Sequence, residues 1–266
     1  MDRNIYLEGV PGSGKSTLLG MLEREYPECR CCREGDLSPV ELAWCAYMDG
    51  EQYRAALAKY PGLAPQIKAN TAQEGEQFIV AYTRVKAEDG AFYPFMEQYE
   101  LYGGRRSEEE FRRIVLERLA AFTDRGYVFE CSFFQNIIDE LLLFRLYSTE
   151  RIVAFYREMT ARMNLDAFRL IRLTPRDLAA SLDHVRRERV DDQGRQAWYV
   201  AMLGYLAGSP YGVRRGGMDF DGLLEYFRAR MAAEDAVLGT LPAGCFLNVR
   251  SREYALDDVI AFLERA

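Results

Sequence analysis

The residues whose types and spacing can do chemistry lie at the start of the chain. Gly9-Val10-Pro11-Gly12-Ser13-Gly14-Lys15-Ser16-Thr17 satisfies G-x-x-x-x-G-K-[ST], after a short apolar run and before a leucine-rich helical pattern. Glycines let backbone N–H groups converge on phosphate oxygens without Cβ clashes, and the N-terminus of the following helix adds positive potential. Lys15 is a point charge suited to the β- and γ-phosphates, and the Ser16 hydroxyl is a ligand for Mg²⁺. The pattern predicts a bound nucleoside triphosphate, taken to be ATP, together with Mg²⁺. It does not by itself choose between a GTPase, a motor ATPase and a small-molecule kinase.

Carboxylates close to predicted strand ends narrow the choice, because ligands of open parallel sheets gather at the carboxyl ends of the strands. Glu8 precedes the glycine loop and reads as structural. Glu34 and Asp36 follow a second predicted strand, and Glu130 ends a third. Phosphoryl transfer to a hydroxyl needs an acceptor for the proton and a position for the metal. Either Glu34 or Asp36 suits the base, and Glu130 suits Mg²⁺ directly or through water. The base-reading N-K-x-D of a GTPase is absent, and "YVFECS" lacks the Asp-Glu tip of a mechanical ATPase.

The elements that must hold these residues follow from periodicity. "NIYLEGV" reads as a buried strand, residues 15–26 as an amphipathic helix and 29–36 as a strand ending in acids. Residues 39–60 and 66–87 read as two helices separated by the breaker "YPGLAP". A helix is expected over "RRSEEEFRRIVLERLAAFTDRG", a strand over "GYVFECS" and a long helical region over 135–164. Strand 167–173 precedes a helix that Pro175 can start; strand 245–249 and a last helix close the chain. Short apolar strands alternating with helices predict an α/β protein with a parallel sheet covered on both faces. One domain over 1–266 is expected, with 191–219, rich in glycine and arginine, as a lid or inserted loop.

Bulk properties exclude some functions. A net charge of −7 argues against a nucleic-acid polymer as partner, which calls for broad basic faces. No apolar run approaches the length of a membrane helix, and no secretory leader is visible. The six cysteines accompany a single histidine and lack finger-like spacing, so reduced thiols in a cytoplasmic protein are expected rather than a zinc site. The oligomeric state is left open, with a homodimer among the options.

Taken in order, these stretches resemble the deoxynucleoside kinase and thymidylate kinase group of P-loop kinases. "YLEGVPGSGKST" is similar to that group's first strand and phosphate loop. "REGDLSPVELAW" resembles its acidic second-strand tip, with Trp44 in the place of a substrate-pocket tryptophan. "QFIVAYTR" has the spacing of a helix on which a glutamine, Gln77, reads a base and an arginine, Arg84, lies near the reacting end. "FECSFFQN" resembles the Glu-Arg-Ser tip, with Cys131 where the family has arginine. "RLIRLTPRDLAASLDHVRRERVDD" is similar to the strand, turn, helix and arginine-rich lid.

The resemblance implies a three-layer P-loop NTPase fold of the nucleoside/nucleotide kinase kind, with a five-stranded parallel sheet and a lid at about 183–219. It implies Glu34 as general base, Gln77 with Asn136 at a base edge, and Arg186, Arg187 and Arg189 closing over the triphosphate. Trp44 and Phe134 are expected to wall the acceptor pocket. The activity implied is transfer of the γ-phosphoryl group to a nucleoside or nucleoside monophosphate. A kinase of another hydroxyl compound, such as an antibiotic, and a nucleotide-dependent regulatory ATPase are the alternatives.

Overall fold

The apolar run before the glycine loop is a strand buried along its whole length, as the centre of a doubly covered sheet requires. The computed structural model describes residues 1–265. In chain order its elements are β1 (Asn4–Gly9), α1 (Lys15–Glu25), β2 (Arg30–Cys32), β3 (Ala46–Met48), α2 (Gly50–Lys59), α3 (Ala64–Ala69), β4 (Thr71–Glu74), β5 (Gln77–Val80), α4 (Phe92–Glu97) and α5 (Glu108–Ala121). There follow β6 (Tyr127–Glu130), α6 (Gln135–Asp139), α7 (Thr149–Thr160), β7 (Phe168–Thr174), α8 (Leu178–Glu188), α9 (Ala197–Gly208), α10 (Pro210–Arg215), α11 (Phe220–Leu238), β8 (Phe246–Arg250) and α12 (Leu256–Leu263). They divide into two compact units, Met1–Cys31 with Thr123–Ala266, and Cys32–Phe122.

The first unit is built on a five-stranded parallel sheet in the order β2-β6-β1-β7-β8. Side chains alternate across a strand, so Ile5 and Leu7 face one side and Tyr6 and Glu8 the other. On the first side Leu18, Leu19 and Leu22 of α1 and Val259, Phe262 and Leu263 of α12 pack with Ile5, Leu7, Val128, Ile171 and Leu173. On the second, Tyr6 meets Phe129 and Phe168 at ring-centroid distances of 5.0 and 4.8 Å, and Tyr156 of α7 closes on Phe133 at 5.3 Å. Helices therefore cover both faces of a parallel α/β sheet, as the strand–helix alternation predicts. No helix among the described residues is long and apolar enough to cross a membrane.

Three expectations for this unit need correction. The helix after β7 starts not at Pro175 but at Leu178, because the Asp177 side chain accepts from Ala180 N and caps it. The region 135–164 is broken: α6 runs into a π-helical turn, Glu140–Phe144, and α7 restarts at the Ser148 cap after Leu146 at φ 55°. Residues 197–215, expected to be irregular, form α9 and α10, with Ser209 capping the second by accepting from Gly212 N.

The second unit carries a three-stranded antiparallel sheet, β3-β5-β4, packed with α2, α3 and α4 around Met48, Tyr53, Ile67, Val80 and Phe92. Its strands contradict the two helices expected over 39–60 and 66–87. Glu74 pairs with Gln77 across a two-residue turn whose Gly75 sits at φ 58°, the positive-φ geometry that tight hairpins select. The helix at 50–59 survives, fixed by an Asp49/Gln52 capping box.

Two acids are buried in this unit. Loss of solvation pushes the Glu41 and Glu100 carboxyls up to about 7, although Tyr102 and the Leu42 and Ala43 amides oppose the shift at Glu41, and Tyr82 opposes it at Glu100. A carboxyl raised in the folded state favours folding less as pH rises from its unfolded toward its folded value. Stability is therefore expected to decline between about pH 4.5 and 7 and to level off above, by up to about 3 kcal/mol for Glu41. Thermal melts across this range should show a shallower decline for Glu41→Gln, which stays neutral throughout; an unchanged slope would remove Glu41 as a cause.

Candidate functional site

The loop between β1 and α1 is shaped by its glycines. Gly9, Gly12 and Gly14 have φ of 148°, 74° and 94°. A Cβ on Gly9 would lie 2.5 Å from Leu173 O, and one on Gly12 would lie 2.1 Å from Val185 Cγ2, so no side chain fits either position. The turn closes with Ser13 N donating to Val10 O at 3.2 Å. Helix α1 follows at Lys15 with no side-chain cap on its first N–H groups, which leaves them directed out of the helix end. Ser13 Oγ is buried and has no hydrogen-bond partner. Lys15, itself buried, donates from Nζ to Gly9 O at 2.8 Å and to Val10 O at 3.3 Å. Pro11 is half-buried and Thr17 exposed.

Glu130, at the end of β6, meets the first turn of α1: Ser16 Oγ donates to Glu130 Oε1 at 2.5 Å. The two expected metal ligands, 114 residues apart in sequence, are thus adjacent. The chain then turns sharply. Cys131 adopts φ 61°, and its N–H donates to Leu7 O at 3.0 Å. Two residues expected to touch substrate are used inside this turn. Phe134 is fully buried against Phe133 and Tyr156, at 4.9 and 5.8 Å between centroids, so its ring is core rather than pocket wall. Asn136 donates from Nδ2 to Cys131 O at 3.1 Å. Glu8, expected to be structural, is fully buried and receives the N–H groups of Phe133, Phe134 and Gln135.

The arginines at the end of α8 have local partners. Arg186 pairs with Asp183 and lies over the rings of Tyr199 and Phe220 at 5.3 and 5.0 Å. Arg187, exposed, pairs with the other Asp183 oxygen at 2.6 Å, and Arg189 lies 5.9 Å from the Trp198 ring. The Asp183 pairing is the i,i+3 and i,i+4 pattern of a helix face. The same helix puts Val185 against Gly12 of the loop.

In the second unit the sequence-predicted residues Glu34, Asp36, Trp44 and Arg84 come together. Trp44 Nε1 donates to Glu34 Oε1 at 3.1 Å, and Arg84 forms an ion pair with Asp36. Asp36 also accepts from Arg33 N at 2.9 Å. Trp44 is 49% exposed and stands at φ 59°, a backbone state that costs a bulky residue roughly 1–2 kcal/mol. Gln77 is not among them. It begins β5 at the hairpin turn, while Arg84 ends a 3-10 turn at Tyr82–Arg84. The expected helix that would have stacked Gln77 and Arg84 does not exist, because the hairpin replaces it.

Of two further contributors, Arg252 carries no local sequence signal and Arg230 only a helical spacing. Arg252, at φ 65°, reaches Gly12 O at 3.4 Å from Nη2 and lies beside His184 Nε2 at 3.2 Å from Nη1. Arg230 of α11 lies buried between Asp139 at 3.4 Å and Glu234 at 3.0 Å. Only the i,i+4 spacing of Arg230 and Glu234 was visible beforehand, and it reads equally as a solvated face. No family model and no curated protein matches the chain.

Proposed function

We propose that the protein is a P-loop phosphotransferase that moves the γ-phosphoryl group of ATP to a hydroxyl or phosphate of a small acceptor. The observation that carries this reading is the Ser16–Glu130 contact of 2.5 Å beside a glycine loop that tolerates no side chain at Gly9 or Gly12. The residues fit the group expected there. Ser13 Oγ is a buried hydroxyl without a partner, and the first N–H groups of α1 are uncapped, which is what a phosphate chain requires. Lys15 exchanges carbonyl partners for phosphate oxygens at little cost, since carbonyls hold an ammonium more weakly than anionic oxygens do. Mg²⁺ held by Ser16 and Glu130 would supply the charge that neutralises the β- and γ-oxygens.

The remaining work falls to the chain's own groups. Glu34 accepts the proton of the attacking hydroxyl; its Oε1 is kept in orientation by Trp44 Nε1. Asp36 is held by Arg84 and by Arg33 N. The half-exposed Trp44 ring offers a flat face to a ring-bearing acceptor, with stacking worth roughly 1–3 kcal/mol. Gln77 leaves the proposed machinery, since it shares no helix with Arg84. This weakens a glutamine-read nucleobase and favours a wider class of hydroxylated ring compounds alongside nucleosides. Arg187 and Arg189 are the lid cations of this reading: both are exposed, although Arg187 shares Asp183 and Arg189 lies over Trp198, whereas Arg186 is half-buried against the rings of Tyr199 and Phe220.

The test is ADP release from MgATP with and without nucleosides, nucleoside monophosphates and hydroxylated small molecules. Acceptor-dependent release with a phosphorylated product is expected. In the same assay Glu34→Gln should cut turnover about a hundredfold with ATP affinity nearly unchanged. Release that ignores every acceptor but rises with an added protein would replace the kinase by a regulatory ATPase.

A further inference from the structure

The turn that follows Glu130 is clamped from β1, and the clamp ends in a buried carboxyl. Glu8 Oε1 accepts from Phe133 N at 2.7 Å and from Phe134 N at 2.9 Å, and Oε2 accepts from Gln135 N at 3.3 Å. These donors run from the turn into the first residue of α6, Gln135. The residue before Glu8 holds the other end of the turn, through Leu7 O and Cys131 N at 3.0 Å. Glu130 and Cys131, which must turn sharply at φ 61°, therefore lie between two contacts made by consecutive residues of β1. The same strand ends in Gly9, the first residue of the glycine loop.

Nothing in the transfer chemistry uses this carboxylate. It is fully buried and touches no group assigned a role at the reacting atoms. Burial pushes its carboxyl up to about 7, against the pull of the Phe134 and Phe133 amides and of Arg230 in α11, and on the same sheet face Arg172 is its register partner in β7. A fully buried acid that accepts from successive N–H groups is costly to replace, because each donor it leaves is a buried polar group without a partner. Glutamine keeps one accepting oxygen for Phe133 N and Phe134 N but turns an amide N–H toward Gln135 N, which also donates.

We infer that Glu8 is a positioning residue for the metal site: by gripping the amides of Phe133, Phe134 and Gln135 it fixes the turn that aims Glu130 at Ser16. This rests on the phosphotransferase reading for the metal itself, but it assigns a residue and a role outside that reading. Outer partners that orient a ligating carboxylate typically govern metal affinity by 10- to 100-fold. The glycine loop, whose amides and Lys15 meet the phosphates, does not depend on the turn for its own hydrogen bonds. The two affinities should therefore separate.

The experiment uses the full chain, Mn²⁺ as a paramagnetic probe and ADP. Electron paramagnetic resonance titrations give the Mn²⁺ affinity in the presence of ADP, and calorimetry in EDTA gives the affinity for metal-free ADP. For Glu8→Gln the Mn²⁺ affinity is expected to fall about tenfold or more, while metal-free ADP binding stays within about twofold of wild type. Glu8→Asp, which keeps the carboxyl group and retracts its oxygens, is expected to lose metal affinity in the same direction and serves if the glutamine variant does not accumulate. Unchanged Mn²⁺ affinity in whichever variant folds, with wild type binding both, overturns the role of Glu8 and leaves the phosphotransferase standing. Wild-type protein that binds neither ADP nor Mn²⁺–ADP would instead remove that reading, and this one with it.

Discussion

Lys15→Ala should abolish acceptor-dependent phosphoryl transfer, lowering turnover by roughly a thousandfold, and leave the fold standing. The ammonium is buried and bonded to two loop carbonyls, Gly9 O and Val10 O. Alanine removes the loop's one lysine charge and keeps every glycine that shapes it. The lost hydrogen bonds cost about 1–3 kcal/mol of stability, a melting shift of several degrees in a chain of 266 residues. Steady-state ADP release and a thermal melt on the same preparation check both halves. Turnover that persists in folded Lys15→Ala would mean that the loop holds no transferring phosphate.

Arg230→Met should produce the largest loss of stability. The guanidinium is 1% exposed and lies between Asp139 and Glu234, with Asp139 also receiving the Tyr226 hydroxyl. Methionine fills most of the volume but takes the cation from buried Asp139 and leaves Glu234 with Arg172 alone, at 3.4 Å, and it weakens the field that Glu8 feels. Breaking a buried ion pair from one side costs about 3–5 kcal/mol, or roughly 10 °C in melting temperature. Arg230→Met combined with Asp139→Asn removes the carboxylate that lost its cation and should recover part of the loss. Calorimetry at neutral pH decides it: a single variant that melts like wild type would show the network to be idle.

How far the sequence could be read followed the range of the forces involved. β1, the glycine loop and α1 are set by contiguous residues, and so were legible in full. The Ser16–Glu130 pair was legible in type but not in contact, since only the strand order β6-β1 brings the two together. The β4–β5 hairpin was missed because "TAQEGEQFIV" is polar at its turn end and offers no clean alternation; its one signal, Gly75 between two glutamates, is weaker than an Asn-Gly pair. That error carried Gln77 into the candidate site. Phe134 was misassigned because an aromatic residue beside an acidic strand tip looks the same whether its ring faces a ligand or Tyr156. Arg252 meets Gly12 across 240 positions, a contact that only the order β1-β7-β8 creates.

The chain has two tryptophans, and each unit contains one. Trp44 stands half-exposed with its indole N–H on Glu34, whereas Trp198 lies under the guanidinium of Arg189. Intrinsic emission therefore comes from two fluorophores in different surroundings, one next to the proposed base and one next to a proposed lid cation. Replacing either with phenylalanine leaves a single tryptophan, so occupancy of the proposed donor and acceptor sites can be sought optically, one at a time, in protein carrying no attached dye.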